Sequence, residues 1–167
     1  FKDPEVLKFG NSLTNDQYEG DTFDYIMANP PYGSSWKAFK TQVEELQEQG
    51  DPRFSEGLPA VSDGQMLFLM HIAHKLAPAD GATKGGRAAV VTNGSPLFTG
   101  DAESGPDSIR KYLTGAQGGT EVLDTIIALP NDMFYNTGIA TYIWILDQNK
   151  EPRRRGKIQF IDATEIS

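Results

Sequence analysis

The stretch Phe23-Asp24-Tyr25-Ile26-Met27-Ala28-Asn29-Pro30-Pro31-Tyr32-Gly33 decides the architecture. Its first six residues are mostly apolar or aromatic, the pattern of a short buried β-strand. Pro30 and Pro31 stop that strand, because neither has an N–H for a ladder and each restrains the residue before it. The product is a stiff turn at the carboxyl end of a strand, where open α/β sheets place their ligands. It presents the Asn29 amide, two outward backbone carbonyls and the aromatic face of Tyr32. Those groups suit a planar substrate bearing an exocyclic amine. The plain alternative is a proline-rich surface turn, yet this tetrapeptide arises by chance in roughly one chain per thousand of this size.

Upstream, residues 6–9 read as a short strand, followed by the turn Gly10-Asn11-Ser12-Leu13. Downstream, residues 33–61 are polar and irregular, with a helix expected over 40–49 and a break at Gly50-Asp51-Pro52. A connection this long in a compact domain is usually a functional or mobile loop. Ser62-Asp63-Gly64-Gln65 has the form of a capping box. It is expected to open a helix whose Met66, Leu69, Met70, Ala73 and Leu76 recur at helical spacing and which Pro78 ends. The methionines read as core. His71 and His74 share that helix without a Cys or second acidic ligand nearby in sequence, so no metal is assigned.

Residues 86–92 predict a second buried strand, closed by the turn Asn93-Gly94-Ser95-Pro96. Residues 99–107 form a Gly- and acid-rich loop, and 108–113 a short helix. Strands over 122–129 and 139–146 are expected to pair as an antiparallel hairpin across residues 131–138, and 157–161 to add a last strand. Strands alternating with helices argue for an α/β fold whose sheet is mostly parallel and covered by helices.

A chain of 167 residues fits one domain and buries about two-thirds of its unfolded surface. No apolar run reaches the roughly 18 residues a membrane-spanning helix needs, and no signal peptide opens the chain. Cysteine is absent, which excludes disulfides and thiolate metal sites and is compatible with the cytoplasm. The net charge of −8 counts against unaided DNA binding. Arg153-Arg154-Arg155 with Lys157 is the local exception, read first as a solvated turn and second as a phosphate contact.

With Asn29-Pro30-Pro31-Tyr32 after a strand, the arrangement resembles the adenine-specific DNA amino-methyltransferases. More narrowly, it resembles the modification (M) subunit of type I restriction-modification systems. Besides the residues quoted, the likeness rests on Gly86 to Phe98, Ile109-Arg110-Lys111-Tyr112-Leu113 and Ile126-Ile127-Ala128-Leu129-Pro130. Phe134, Thr137-Gly138-Ile139 and Tyr142 to Leu146 extend it. The motif alone is shared with other amino-group methyltransferases; the ordered series after it is more specific.

The resemblance implies a Rossmann-like methyltransferase sheet with a C-terminal antiparallel hairpin, and S-adenosylmethionine as cofactor. It implies DNA as substrate, with specificity (S) and restriction (R) subunits as partners. It assigns Asn29, Pro30, Pro31 and Tyr32 to catalysis, with the Asn29 side chain and Pro30 carbonyl accepting the target amine's hydrogens. The freed nitrogen lone pair then attacks the sulfonium methyl in line. Tyr32 and Phe134 are expected to stack on a flipped base, Trp36 to line the DNA side or pin the loop, and Asn11, Ser12, Leu13 and Asn29 to contact the cofactor. The family's glycine-rich cofactor loop and ribose-binding acid do not occur before Phe1, and Gly115-Ala116-Gln117-Gly118-Gly119 lies in the wrong context to replace that loop. Residues 1–167 are therefore expected to be part of a catalytic domain, incomplete at its N-terminal side and inactive alone. The rival expectations are an amino-methyltransferase acting on protein glutamine or RNA, and a non-catalytic subunit that keeps the fold.

Overall fold

The structure, a computed structural model, describes residues 6–134 and 138–166. Five strands, β1 (Tyr25–Ala28), β2 (Arg87–Asn93), β3 (Leu123–Ala128), β4 (Thr141–Asp147) and β5 (Gln159–Asp162), form one sheet in the order β1-β2-β4-β3-β5. β1 runs parallel to β2 and β3 to β5, while β4 lies antiparallel between β2 and β3. Four strands thus point one way and β4 alone opposes them, so the expected hairpin forms and its second strand inserts into the sheet's middle. β-Branched and aromatic residues suit Thr141–Asp147 to that flanked position.

Helices α2 (Gln65–Lys75) and α4 (Gly105–Thr114) cover one face. Met66, Leu69, Met70, Ala73 and Leu76 all enter that core, together with Ala88, Val90, Ile126, Trp144 and Leu146 from the strands and Ile109 and Leu113 from α4. Cross-strand register puts Met27, Ala89 and Ile145 in one row of the opposite face, and Val91, Ile143, Ile127 and Ile161 in the next. These side chains are partly or largely exposed.

Several expectations change. β1 is an edge strand, not one buried on both faces. Ile26 and Ala28 pack on the core, whereas Tyr25 is 82% and Met27 89% exposed, because β1 pairs only with β2 and no described element lies over them. Residues 6–9 form no strand; no described strand pairs with them, and Phe9 is fully exposed. The capping box does not form: Gly64 is the N-cap of α2, and Asp63 Oδ1 accepts the Gln65 N–H at 3.1 Å instead. The turn after β2 winds into a one-turn helix, α3 (Ser95–Phe98).

Residues 33–61 are packed rather than loose. Helix α1 (Lys40–Glu48) presents Val43 to a second core with Leu13, Trp36, Phe54 and Leu67. Burying two large aromatics there stabilises a segment whose polar composition conceals its few anchors.

Candidate active site

β1 ends at Ala28, opposite Val90 of β2, and delivers Asn29 to the carboxyl edge of the sheet. Asn29 and Pro31 are exposed, Pro30 is buried and Tyr32 is half-buried. The buried proline fixes the corner and leaves the amide at the surface. The Tyr32 hydroxyl donates to Asn29 Oδ1 at 2.5 Å. Phe134, from the connection between β3 and β4, meets the Tyr32 ring edge to face, with centroids 6.5 Å apart and planes at 77°. Burial holds the Tyr32 phenol above its usual pKa, so it is a neutral donor at physiological pH. Thr137 of the same connection lies outside the described residues.

The chain leaves the turn through Gly33, whose φ of 58° is a left-handed conformation that favours glycine. Ser34 C=O then accepts the Gly64 N–H at 3.1 Å, Val61 C=O accepts the Trp36 N–H at 3.0 Å, and Ala60 C=O accepts Trp36 Nε1–H at 3.0 Å. Trp36 is buried and pins this loop; it does not line an open face.

Behind the turn lies a polar network that sequence reasoning missed. Gln65, 0% exposed, donates through Nε2 to Asn93 Oδ1 at 2.8 Å and to both Asp63 oxygens at 2.9 Å. Its Oε1 accepts the Asn93 N–H at 2.9 Å, and Asn93 Oδ1 also accepts the Ser95 N–H at 2.8 Å. The available signal was a glutamine opening an apolar helix, a residue type seldom buried without partners.

The Gly10–Leu13 turn is held by its own hydrogen bonds. Asn11 Oδ1 accepts the Leu13 N–H at 3.0 Å, and Asn11 C=O accepts from Thr14 and Asn15. Asn11 and Ser12 are exposed, but Leu13 is 0% exposed and packs in the second core. Arg53 forks onto Asp51, with Nη2 to Oδ2 at 2.6 Å, and its Nη1 reaches Ser12 C=O at 3.1 Å and His71 Nδ1 at 3.2 Å. Burial first, and the Arg53 charge second, lower the His71 pKa to about 4. Among the described residues no hydrogen bond or ring contact joins this turn to Asn29 or Tyr32. The structure therefore brings Asn29, Tyr32 and Phe134 into contact, and Leu13 into the second core with Trp36.

His74 is engaged at both ring nitrogens, near Met70 C=O at 2.9 Å and the Tyr112 hydroxyl at 3.2 Å. Among the described residues no group of three His, Cys, Asp or Glu could hold a metal ion, and no helix is long and apolar enough to cross a membrane. In the basic run, Arg154 grips the Asp124 carboxylate at 2.9 and 2.7 Å, and Arg153 pairs with Glu151 at 2.6 Å. Asp124 sits near the start of β3, so this cluster lies at the end of the sheet remote from Asn29.

The chain is 32% identical to the type I restriction enzyme HindI methylase subunit of Haemophilus influenzae, over 93% of this chain and 31% of that protein. It superposes on the type I restriction-modification system methyltransferase subunit from Streptococcus thermophilus with a TM-score of 0.72 and 32% identity, covering 93% of this chain and 29% of that one. A putative class I S-adenosylmethionine-dependent methyltransferase from Listeria monocytogenes shares the fold alone, with a TM-score of 0.57 at 15% identity over 88% of this chain and 38% of that one. The sheet is thus a Rossmann-like methyltransferase sheet, and the chain spans about a third of the length of the relatives it matches. Residues 3–167 match the N-6 DNA Methylase family from end to end of the described fold, and the chain belongs to that family.

Proposed function

We propose that the protein carrying this chain methylates the N6 amine of adenine in DNA, as the modification subunit of a type I restriction-modification system. The observation that carries this reading is the exposed Asn29 amide at the carboxyl end of β1, flanked by Tyr32 and Phe134. Its partners are DNA and the specificity and restriction subunits of such a system, and its setting is the cytoplasm.

Adenine's amine is a poor nucleophile because its lone pair is delocalised into the ring. Asn29 Oδ1 and the Pro30 carbonyl accept its two hydrogens and favour a pyramidal nitrogen with a freed lone pair. Positioning and charge placement do most of this work, so no dedicated general base is needed. Leaving the duplex stack costs the base a few kcal/mol. Stacking on Tyr32 and Phe134 returns about 1–3 kcal/mol per base, so the amine hydrogen bonds decide which base stays.

Asn11, Ser12, Leu13 and Asn29 are the residues that would hold S-adenosylmethionine, which supplies an electrophilic methyl group when bound. They fit a polar ligand: Asn11 and Asn29 are exposed, and Asn11 Oδ1 keeps one lone pair beyond its bond to Leu13. Leu13, fully buried, anchors the turn that presents Asn11 and Ser12. The chain is one part of a larger catalytic domain. Among the described residues, the half-open sheet face and the unpaired edge of β1 support this, since parallel sheets are covered on both faces.

The test is to incubate the intact subunit, with and without its specificity partner, with methyl-labelled cofactor and DNA, RNA or protein. Label is expected in N6-methyladenine of DNA. Label in RNA or in protein glutamine would replace the substrate, and transfer to no acceptor would leave only a non-catalytic role.

A further inference from the structure

The site without a base is closed on itself. Asn29 Oδ1, assigned above to the target amine, already receives a donor, the Tyr32 hydroxyl at 2.5 Å. The Tyr32 ring meets Phe134 at 77°, whereas a base held between two rings requires their planes near parallel. One side chain therefore takes one of the two lone pairs of the acceptor and holds its ring edge to face with Phe134 rather than parallel to it.

We propose that Tyr32 is an internal surrogate for the target base: its hydroxyl keeps the amine's place on Asn29, and base engagement exchanges one donor for the other. This rests on the reading that Asn29 receives the amine. The two groups are chemically alike at this point, since a neutral phenol O–H and an amine N–H each offer one hydrogen to a carbonyl-type oxygen. For a base that brings a donor, the exchange replaces one hydrogen bond by another. A base that presents a carbonyl, such as guanine at O6 or thymine at O4, brings a second acceptor and leaves the Tyr32 bond unreplaced. The site thus sorts bases before any methyl transfer.

The bond is solvent-exposed, so the exchange is a modest term; a typical net hydrogen bond corresponds to a change of about 2- to 10-fold in an equilibrium constant. Tyr32→Phe removes the competing hydroxyl and keeps the ring.

The experiment uses the intact subunit with its specificity partner and a fluorescent duplex bearing the sequence that the producing cell methylates. Binding is followed by anisotropy with adenine or an abasic residue at the target position. Tyr32→Phe is expected to tighten binding of the adenine duplex about 2- to 10-fold and to leave the abasic duplex unchanged. In an Asn29→Ala background the same change is expected to have no effect, because the bond it relieves is gone. Unchanged or weaker binding of the adenine duplex, equal tightening on the abasic duplex, or a gain that persists without Asn29 would each overturn the surrogate role. Full methyl transfer by Asn29→Ala alone would instead sink the underlying assignment.

Discussion

Gln65 and Asn93 clasp one another, Nε2 to Oδ1 at 2.8 Å and main-chain N–H to Oε1 at 2.9 Å. The pair ties the first residue of α2 to the last of β2. Gly64, next to Gln65, holds the chain leaving Tyr32 through Ser34. A fully buried amide thereby sets the height of the helix against the strand ends that carry the site.

Gln65→Leu keeps the volume but strips the Asn93 N–H of its acceptor. The expected cost is about 1–3 kcal/mol, the range for a buried group left unpaired. Urea denaturation measures it, and a loss well under that range would mean that solvent or a shifted neighbour replaces the clasp.

Asn29→Ala in the intact protein is expected to lower turnover about 10²–10³-fold, the scale for removing one preorganised polar contact to a developing charge. Cofactor affinity, read by calorimetry, should remain largely in place. Parallel loss of both would assign Asn29 to cofactor binding or folding rather than to the target amine.

Trp36→Ala is expected to cost about 3–5 kcal/mol by emptying the second core. Trp36→Phe keeps most of the packing and loses only the bond to Ala60, for about 1 kcal/mol. Similar losses for the two variants would contradict a mainly packing role.

His71 is held neutral when folded, its pKa lowered to about 4, while the unfolded chain binds that proton near 6.5. Stability from the neutral ring is therefore complete above pH 6.5 and is lost as pH falls from there towards 4. His71→Asn should flatten the pH dependence of the urea midpoint in that window. An unaltered slope would show that other groups dominate it.

Arg154→Ala should lower the melting temperature, because burial raises the Asp124 pKa and the Arg154 hydrogen bonds and charge, with the Thr125 hydrogen bond and the Lys150 charge, bring it below the usual range. DNA affinity of the intact protein should not change, since Arg154 lies at the end of the sheet away from Asn29. A weaker salt dependence of DNA binding in this variant would restore a phosphate contact.

Local pattern made most elements legible. The apolar stripe of α2 lies wholly in the core, α1 begins at Lys40, and β3, β4 and β5 fall within two residues of their expected bounds. Periodicity reports a face, and prolines and glycines report ends, wherever the partner happens to be. Residues 6–9 show the converse: an apolar run is not a strand unless a neighbouring strand pairs with it.

The chain's own order of residues already contained the diproline corner after a strand, the amide and ring it displays, and the hairpin that brings an aromatic back. Steric restraint at consecutive prolines and alternation along strands act over a few residues, so they are readable without a fold. Contacts across the molecule decided the remainder: that β4 slots between β2 and β3, that β1 is an edge, that Leu13 and Trp36 are core, and that Gln65 reaches Asn93. They also decided that Tyr32 turns onto Asn29 and Phe134. Each depends on which distant surfaces compete for burial and for hydrogen bonds, a choice made only when the whole chain is packed.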